Sequence, residues 1–101
     1  MRQSPSSQAT AELTSMGYVP WTVERNITPI IKRDLYNVID ILAINAAGHV
    51  LAVQVTSHTN HAARAKKVTE GQHLPLMVKA GWQVEVWSYK GTVLRREEIL
   101  I

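Results

Sequence analysis

The fold is built around Val38–Ser57, VIDILAINAAGHVLAVQVTS, where two apolar runs flank a short connection that contains a glycine. Their length, their β-branched residues and the turn residues between them are typical of two strands of an antiparallel hairpin. A three-residue loop at 46–48 would place Gly48 in the left-handed conformation that such loops favour, and would pair Asn45 with His49. The stretch therefore predicts a central β-hairpin.

Polar side chains interrupt both runs of the hairpin: Asp40 in the first, Gln54 and Thr56 in the second. The same loop places Asp40 opposite Gln54, and Val38 opposite Thr56. Opposed residues point to one face of a sheet, as do residues two apart on a strand, so the three polar side chains converge. Because burial of polar groups costs free energy unless they are satisfied, this convergence predicts a functional site. The alternative is a solvated rim at the frayed end of the hairpin.

Length and composition describe one ordinary globular domain. A chain of 101 residues, 46% hydrophobic and 19% charged, can bury a core without disulfides or metals. We expect a disordered tail over residues 1–5 and a single domain over 6–101. The absence of cysteine excludes disulfides and thiolate zinc sites and fits a cytoplasmic protein. No apolar run reaches the roughly 18 residues of a membrane span, and the N-terminus does not resemble a secretory signal.

Charge is distributed unevenly. The formal net charge is +3, and no acidic residue occurs between Asp40 and Glu70, an interval that holds Arg64, Lys66 and Lys67. A segment of one sign beside a polar site favours a polyanion such as nucleic acid. The alternative is a solvated helix face.

Periodicity and turn residues predict the other elements. These are a helix over 6–16 capped by Ser6 or Ser7, a strand over 18–25, a helix from Ser57 or Thr59 to about Thr69, a short helix over 74–80, a strand over 82–89 and an edge strand within 92–101. A strand that follows a helical crossover beside a hairpin indicates an α/β fold with a mixed sheet. We expect Trp87 and Tyr89 to pack in the core rather than on an exposed face, and Arg95-Arg96-Glu97-Glu98 to be self-neutralising.

The helix after the hairpin is the predicted nucleic-acid surface. Asn60, Arg64 and Lys67 fall within a narrow arc, while Ala62, Ala65 and Thr69 lie on the opposite side, towards the sheet. Arg64 can bind a phosphate through two N–H donors of its guanidinium group. Asn60 lies near the exposed backbone N–H groups at the start of the helix.

Other basic residues have two readings. Lys32 and Arg33 are either phosphate-contacting cations beside the site or part of a charged surface turn. His58 and His61 lack a third partner for a metal and are predicted to be surface residues.

The element order, with an Asp on the second strand and Q-x-T on the third, resembles the core of the PD-(D/E)XK nuclease superfamily. It is most similar to archaeal Holliday-junction resolvases and short phage proteins of this type. Ile39-Asp40, a 13-residue gap and Gln54-Val55-Thr56 share the superfamily layout, and the basic helix over 60–67 is similar too. The resemblance implies a restriction-endonuclease-like α-β-β-β-α-(α)-β core, a mixed central sheet flanked by helices, in a prokaryotic or phage-encoded protein.

The resemblance also implies roles for individual residues. In the superfamily the Asp and the D/E bind magnesium, and the Lys helps to position or activate the attacking water. Asp40, Gln54 and Thr56 stand at these three places, so they become the catalytic candidates, with Asp40 and Gln54 as ligands of Mg²⁺ or Mn²⁺. A glutamine oxygen ligates without charge, which lowers metal affinity, and a threonine hydroxyl lacks the positive charge of lysine.

Neighbouring elements could compensate for these substitutions. Glu12 is the candidate for the glutamate of the superfamily's first helix, and Glu24 or Asp34 could supply a carboxylate. The missing cation could come from Lys32, Arg33 or Arg64.

Three functions stay open. The first is a magnesium-dependent DNA endonuclease, the second a catalytically inactive DNA-binding module that needs no cofactor, and the third a protein-interaction domain. Resolvase-like relatives act as dimers because their substrate has two strands to cut, so a homodimer is expected. Its candidate surfaces are the strand over 82–89 and the C-terminal segment.

Overall fold

A five-stranded mixed sheet organises the chain. The structure is a computed structural model that describes residues 4–23, 25–26, 32–33, 36 and 38–100, with the backbone alone at 25–26 and 32–33. In chain order the elements are α1 (Pro5–Ser15), β1 (Tyr18–Thr22), β2 (Arg25–Asn26), β3 (Lys32–Arg33), β4 (Ile41–Asn45), β5 (Val50–Ser57), a 3-10 turn (His58–Asn60), α2 (His61–Thr69), α3 (Leu74–Lys79), β6 (Trp82–Lys90) and β7 (Val93–Glu98).

The strand order is β1-β4-β5-β6-β7, with β2 and β3 paired separately. β1, β4 and β5 are antiparallel neighbours, β5 and β6 are parallel, and β7 returns antiparallel to β6. A parallel pair needs a long crossover connection, and the segment that contains α2 and α3 supplies it. The predicted α/β fold with a mixed sheet and helices is thus confirmed.

The central hairpin has the predicted loop and register. Ile41 pairs with Val53 and Ile44 with Val50, and the Asn45 N–H donates to the His49 carbonyl at 3.2 Å. Gly48 has φ +84°, a conformation that costs glycine little and other residues more. Local turn chemistry therefore sets this register.

Both faces of the sheet are covered. α1 packs on one face, here called the α1 face, with the buried residues Ala9, Leu13, Ile41, Ala43, Leu51, Val53, Val55, Trp87 and Tyr89. α2 and α3 pack on the other, the α2 face, with Val38, Ile39, Ala52, Val68, Leu74, Met77, Val84, Val86 and Ile99. Successive strand residues alternate between the faces, so β5 and β6 are buried on both sides.

Trp87 is fully buried and Tyr89 is 7% exposed, which confirms that these aromatic residues pack in the core. β6, one candidate for the homodimer surface, has both of its edges hydrogen-bonded to β5 and β7. The outer strands of the sheet are β1 and β7.

The first helix begins one residue earlier than predicted. Ser4 is its N-cap, with Oγ accepting from the Ser7 N–H at 3.2 Å, so the expected cap at Ser6 or Ser7 is wrong. Pro5 follows the cap, where its missing N–H costs nothing. The predicted tail therefore overlaps the helix at Pro5, and residues 1–3 lie outside the described residues.

The inward side of α2 also differs from its prediction. His61 and Val68 are buried, Ala65 is half-buried, and Ala62 and Thr69 are exposed. The pattern of small residues suggested another phase because it assigned His61 to the surface. Polar partners on the sheet, described below, instead hold that imidazole inside.

Tyr89 has a buried hydroxyl with no hydrogen-bond partner among the described residues. Burial first, and then the charge of Glu12, raises the pKa of this phenol above 10.0. An acid whose pKa is higher in the folded state contributes stability that is lost as pH rises from about 10 through the folded-state value.

We therefore expect Tyr89→Phe to raise the free energy of unfolding by about 1 kcal/mol at pH 7, because it removes an unsatisfied polar group. The difference in the free energy of unfolding between the variant and the wild type should grow above pH 10. Urea unfolding at pH 7 and pH 10.5 measures both effects, with Tyr18→Phe as the control from the same core. A variant less stable than the wild type at both pH values would show that the hydroxyl is satisfied.

Candidate functional site

Asp40 lies where the regular ladder between β4 and β5 ends. Its N–H donates to the Val53 carbonyl at 2.9 Å, although Val53 already pairs with Ile41. Asp40 and Ile41 thus both oppose Val53, which is the arrangement of a β-bulge. The predicted pairing therefore does not continue regularly beyond Ile41. The Asp40 carbonyl accepts from the Val23 N–H at 2.9 Å. The bulge therefore ties Asp40 to the strands on both sides.

The Asp40 carboxylate and the Gln54 amide form a buried pair. Asp40 is 8% exposed and Gln54 is 2% exposed. Asp40 Oδ2 accepts from the Val55 N–H at 2.8 Å and from Gln54 Nε2. The Gln54 nitrogen faces the carboxylate because its oxygen would be repelled there. Gln54 Oε1 is buried and has no hydrogen-bond partner among the described residues.

Thr56 shares a face with this pair. The parallel register sets Gln54 beside Val86 and Thr56 beside Ser88. Because Val86 belongs to the α2 face, Gln54, Thr56 and Ser88 point to that face as well. The structure thus joins Asp40 to Gln54 directly and places Thr56, 8% exposed, two residues further along the same strand.

The structure separates Glu12 from this pair. Glu12 is an exposed residue of α1, and together with Tyr89 it lines a cleft on the α1 face. The sheet therefore lies between it and Gln54, and Glu12 as a companion of Asp40 is wrong. The two other candidate carboxylates, Glu24 and Asp34, lie outside the described residues.

Sequence reasoning missed a second polar cluster on the α2 face. His61 is 2% exposed, its Nδ1 lies 2.6 Å from Ser88 Oγ, and its Nε2 lies 2.8 Å from Glu97 Oε1. The surface assignment of His61 is therefore wrong. A signal was available, since Ser88 interrupts an apolar strand just as Gln54 and Thr56 do. Thr56 and Ser88 are neighbours across β5 and β6, so the polar strip extends from Asp40 to Glu97.

A third cluster lies on the α1 face around Glu85, which is 3% exposed. Its carboxylate accepts from Trp87 Nε1 at 2.8 Å, from Gln83 Nε2 at 2.7 Å, and from Arg96 Nε and Nη2 at 2.9 and 3.1 Å. The guanidinium carbon also lies 4.9 Å from the centre of the Trp87 ring. The hydrogen bond to Glu85 raises the pKa of Arg96.

This arrangement corrects the prediction for the Arg-Arg-Glu-Glu run. Alternate residues of β7 point to opposite faces. Arg96 therefore pairs with Glu85 on one face, and Glu97 with His61 on the other. Within the run itself, Arg95 contacts Glu97 at 3.9 Å on the solvent-exposed surface. This contact agrees with the expected neutralisation between neighbouring charges.

The predicted nucleic-acid residues lie on and before α2. Asn60 and Lys67 are exposed and Arg64 is half-buried. The Asn60 side chain does not cap the helix and donates instead to Ser57 Oγ at 3.2 Å. Lys32 and Arg33 form the short strand β3, and the structure describes only their backbone.

The described residues contain neither a metal-binding cluster of His, Cys, Asp and Glu nor a membrane-spanning helix. No group of three or more His, Cys, Asp or Glu side chains in that part of the chain is arranged to hold a metal ion. The longest helix there, α1, has 11 residues, whereas a span across a bilayer needs about 20. No helix of the described ranges could therefore cross a membrane.

Comparison with known proteins gives one distant structural match. No protein-family model matches the sequence, and no curated protein does. A protein of unknown function from Silicibacter pomeroyi is similar in structure, with a TM-score of 0.47 and 10% sequence identity over 100% of this chain and 75% of that chain. A similarity at this level carries no argument about function.

Proposed function

We propose that the protein acts on DNA as a magnesium-dependent endonuclease of the PD-(D/E)XK fold, with substituted motif residues. The buried pair of Asp40 and Gln54 carries the proposal. It sets a carboxylate beside an amide whose oxygen is buried without a hydrogen-bond partner among the described residues. A cation that binds both groups would satisfy that oxygen, and oxygen ligands are those that Mg²⁺ and Mn²⁺ prefer.

The topology supports this reading. Apart from β2 and β3, which pair separately, the chain runs through a helix, three antiparallel strands, a helical crossover and a parallel fourth strand: α1, β1, β4, β5, α2, α3 and β6. This sequence of elements is compatible with the α-β-β-β-α-(α)-β core that the resemblance implies. Asp40 precedes the second of these strands and Gln54 lies on the third, which agrees with the positions expected for metal ligands from the resemblance.

The residues present fit a metal ion in part. Asp40 and Gln54 would hold it, and the Val55 N–H, at 2.8 Å from Asp40 Oδ2, fixes the orientation of the carboxylate. When bound, a magnesium ion activates water and stabilises charge on the phosphate. Thr56 offers a hydroxyl to the same face but no charge. Glu24 and Asp34 remain candidates for a further carboxylate.

The basic segment supplies the DNA contact in this proposal. Arg64, Lys66 and Lys67 lie on α2, which a 3-10 turn joins to the strand that carries Gln54. Contacts from such residues to phosphate release counterions, so DNA affinity falls steeply with salt. A homodimer would present two copies of this surface to the two strands of DNA.

A catalytically inactive DNA-binding module is the second candidate. Asp40 Oδ2 already accepts two hydrogen bonds from the protein, and neither Gln54 nor Thr56 carries a charge. These two hydrogen bonds satisfy Asp40 Oδ2 without a metal. A protein-interaction domain is a third candidate, because Val19, Trp21 and Ile44 are exposed at 66%, 73% and 53% on neighbouring strands.

Calorimetric titration of Mg²⁺ and Mn²⁺, followed by cleavage assays on branched and linear DNA, tests the proposal. We expect metal uptake and nicking that ceases in EDTA. Binding of uncleaved DNA should weaken with salt, and Lys67→Gln should reduce the salt slope by about 1.

Two results would contradict the endonuclease. If the protein binds DNA in a manner that depends on salt but neither takes up metal nor cleaves DNA, the catalytically inactive DNA-binding module is the function that remains. The absence of DNA binding would remove nucleic acid from the function altogether, and would direct the search to a protein partner.

A further inference from the structure

An aromatic groove lies on the α2 face beside the N-terminal end of β6. Its volume is about 180 Å³, and it is lined by Tyr36, His73, Leu76, Met77, Ala80 and Trp82. The Tyr36 and His73 rings are 5.0 Å apart at 73°, and the Tyr36 and Trp82 rings 6.3 Å apart at 47°. Three rings thus meet at one opening between α3 and the sheet.

Tyr36 holds its ring there in an unfavourable backbone conformation. Its φ is +51°, a value uncommon for a bulky residue and costly relative to the right-handed region. The residue is also 48% exposed, so burial does not account for the position of its ring. A strained residue at a partly open groove is a reason to look for a ligand.

The groove and the Asp40–Gln54 pair lie on the same face. Gln54 is level with Val86 across β5 and β6, and Trp82 precedes Val86 by four residues on β6. Four residues of a strand span about 13 Å. A base held in the groove would therefore lie about 13 Å along the sheet from the buried pair.

We propose that this groove binds an unpaired nucleobase by stacking; this inference rests on the proposed function. Every base presents a π-face that aromatic side chains accept, whatever the sequence. The remaining walls, Leu76 and Met77, are apolar, and none of the six residues that line the groove is acidic. Lys79, exposed in the last turn of α3, offers positive charge to the backbone of the same nucleotide. The groove would favour DNA with unpaired bases, as at ends and branches.

Binding of two fluorescent oligonucleotides in EDTA tests the proposal. One is single-stranded oligothymidylate, and the other has the same length and phosphates but only abasic residues. We expect the wild type to prefer the strand that carries bases, since both strands offer the same charge. Anisotropy titrations give the two dissociation constants.

Tyr36→Gly is the informative variant. Glycine adopts positive φ without strain, which offsets the contacts with His73 and Trp82 that the ring makes, so the variant should remain folded while it lacks the ring. We expect its affinity for oligothymidylate to fall about 5- to 150-fold, the equivalent of 1–3 kcal/mol for one stacked base, with no change for the abasic strand. Tyr36→Phe should bind as the wild type does.

Trp21→Ala is the matched control. Trp21 is 73% exposed and lies on β1, three strands from β6, or about 14 Å away. The Trp21→Ala substitution should leave the dissociation constants for both oligonucleotides unchanged.

Three outcomes would overturn the proposal that the groove binds a nucleobase. They are equal binding of the two strands by the wild type, an unchanged affinity for oligothymidylate in Tyr36→Gly, and an equal loss for both strands in that variant. Each of these leaves DNA binding, and with it the proposed function, intact. A wild type that binds neither these strands nor branched DNA would overturn both proposals together.

Discussion

Replacement of Asp40 by asparagine is expected to abolish metal binding and to lower metal-dependent cleavage by more than about 100-fold. Loss of a residue that merely supports a metal ligand costs about 10- to 100-fold, and Asp40 is the charged member of the buried pair with Gln54. Asparagine keeps the shape of the side chain and removes its charge. Calorimetric titration of Mg²⁺ and cleavage of branched DNA measure the two effects.

The fold should survive this substitution. Asparagine Oδ1 can still accept from the Val55 N–H, which lies 2.8 Å from Asp40 Oδ2. The same oxygen can still accept from Gln54 Nε2, which bonds to Asp40 Oδ2 in the wild type, so both donors remain satisfied. We expect the free energy of unfolding to change by less than about 1 kcal/mol, the net value of a typical hydrogen bond. Urea unfolding measures this value.

Glu70→Gln is the matched control, because it removes one negative charge from the exposed end of α2. It should change neither metal uptake nor cleavage. Full cleavage by Asp40→Asn would contradict a role for Asp40 in catalysis. An equal fall in both variants would show that net charge, rather than a site, controls the activity.

Glu85→Ala is expected to lower the free energy of unfolding by about 3–5 kcal/mol. Breaking a buried ion pair by removal of one partner costs this much, since the other partner loses its compensation. Glu85 is 3% exposed and accepts from Trp87, Gln83 and Arg96. Trp87 is fully buried, so its indole N–H cannot turn to water. At about 4–8 °C per kcal/mol for a domain of this size, the melting temperature should fall by 12 °C or more.

The chain contains a close control for this variant. Glu98 is the cross-strand neighbour of Glu85 on β7 and is exposed. Glu98→Ala makes the same change of charge and should alter stability by less than about 0.5 kcal/mol. Glu85→Gln keeps an acceptor oxygen and should lie between the two. Equal losses for Glu85→Ala and Glu98→Ala, measured by thermal and urea unfolding, would show that the buried carboxylate contributes nothing specific.

The predicted Asp40–Gln54 contact was right for a partly different reason. The alternation of polar and apolar residues and the loop at 46–48 placed the two residues opposite each other. The structure brings them together through a bulge at Asp40, whose N–H bonds to Val53 rather than extending the regular ladder. A bulge depends on how neighbouring strands pack, so periodicity does not predict it.

The clusters that sequence reasoning missed join distant residues. Ser88 and Glu97 lie 27 and 36 positions after His61 in the chain. No local spacing marks such a triplet, and an isolated histidine in a polar segment is usually a surface residue. Likewise, the run of charges in β7 suggested local neutralisation, although strand alternation sends Arg96 and Glu97 to opposite faces.

Elements with a local cause follow from the order of the amino acids alone. Gly48 sets the loop of the hairpin, the apolar runs around it become β4 and β5, and the crossover helices require a parallel β6. Tertiary structure alone decided the phase of α2, the burial of His61 and the partner of Arg96. Those outcomes depend on which polar groups find hydrogen-bond partners after the layers meet. An unsatisfied buried polar group costs free energy comparable to several local preferences, so packing overrules local pattern at these places.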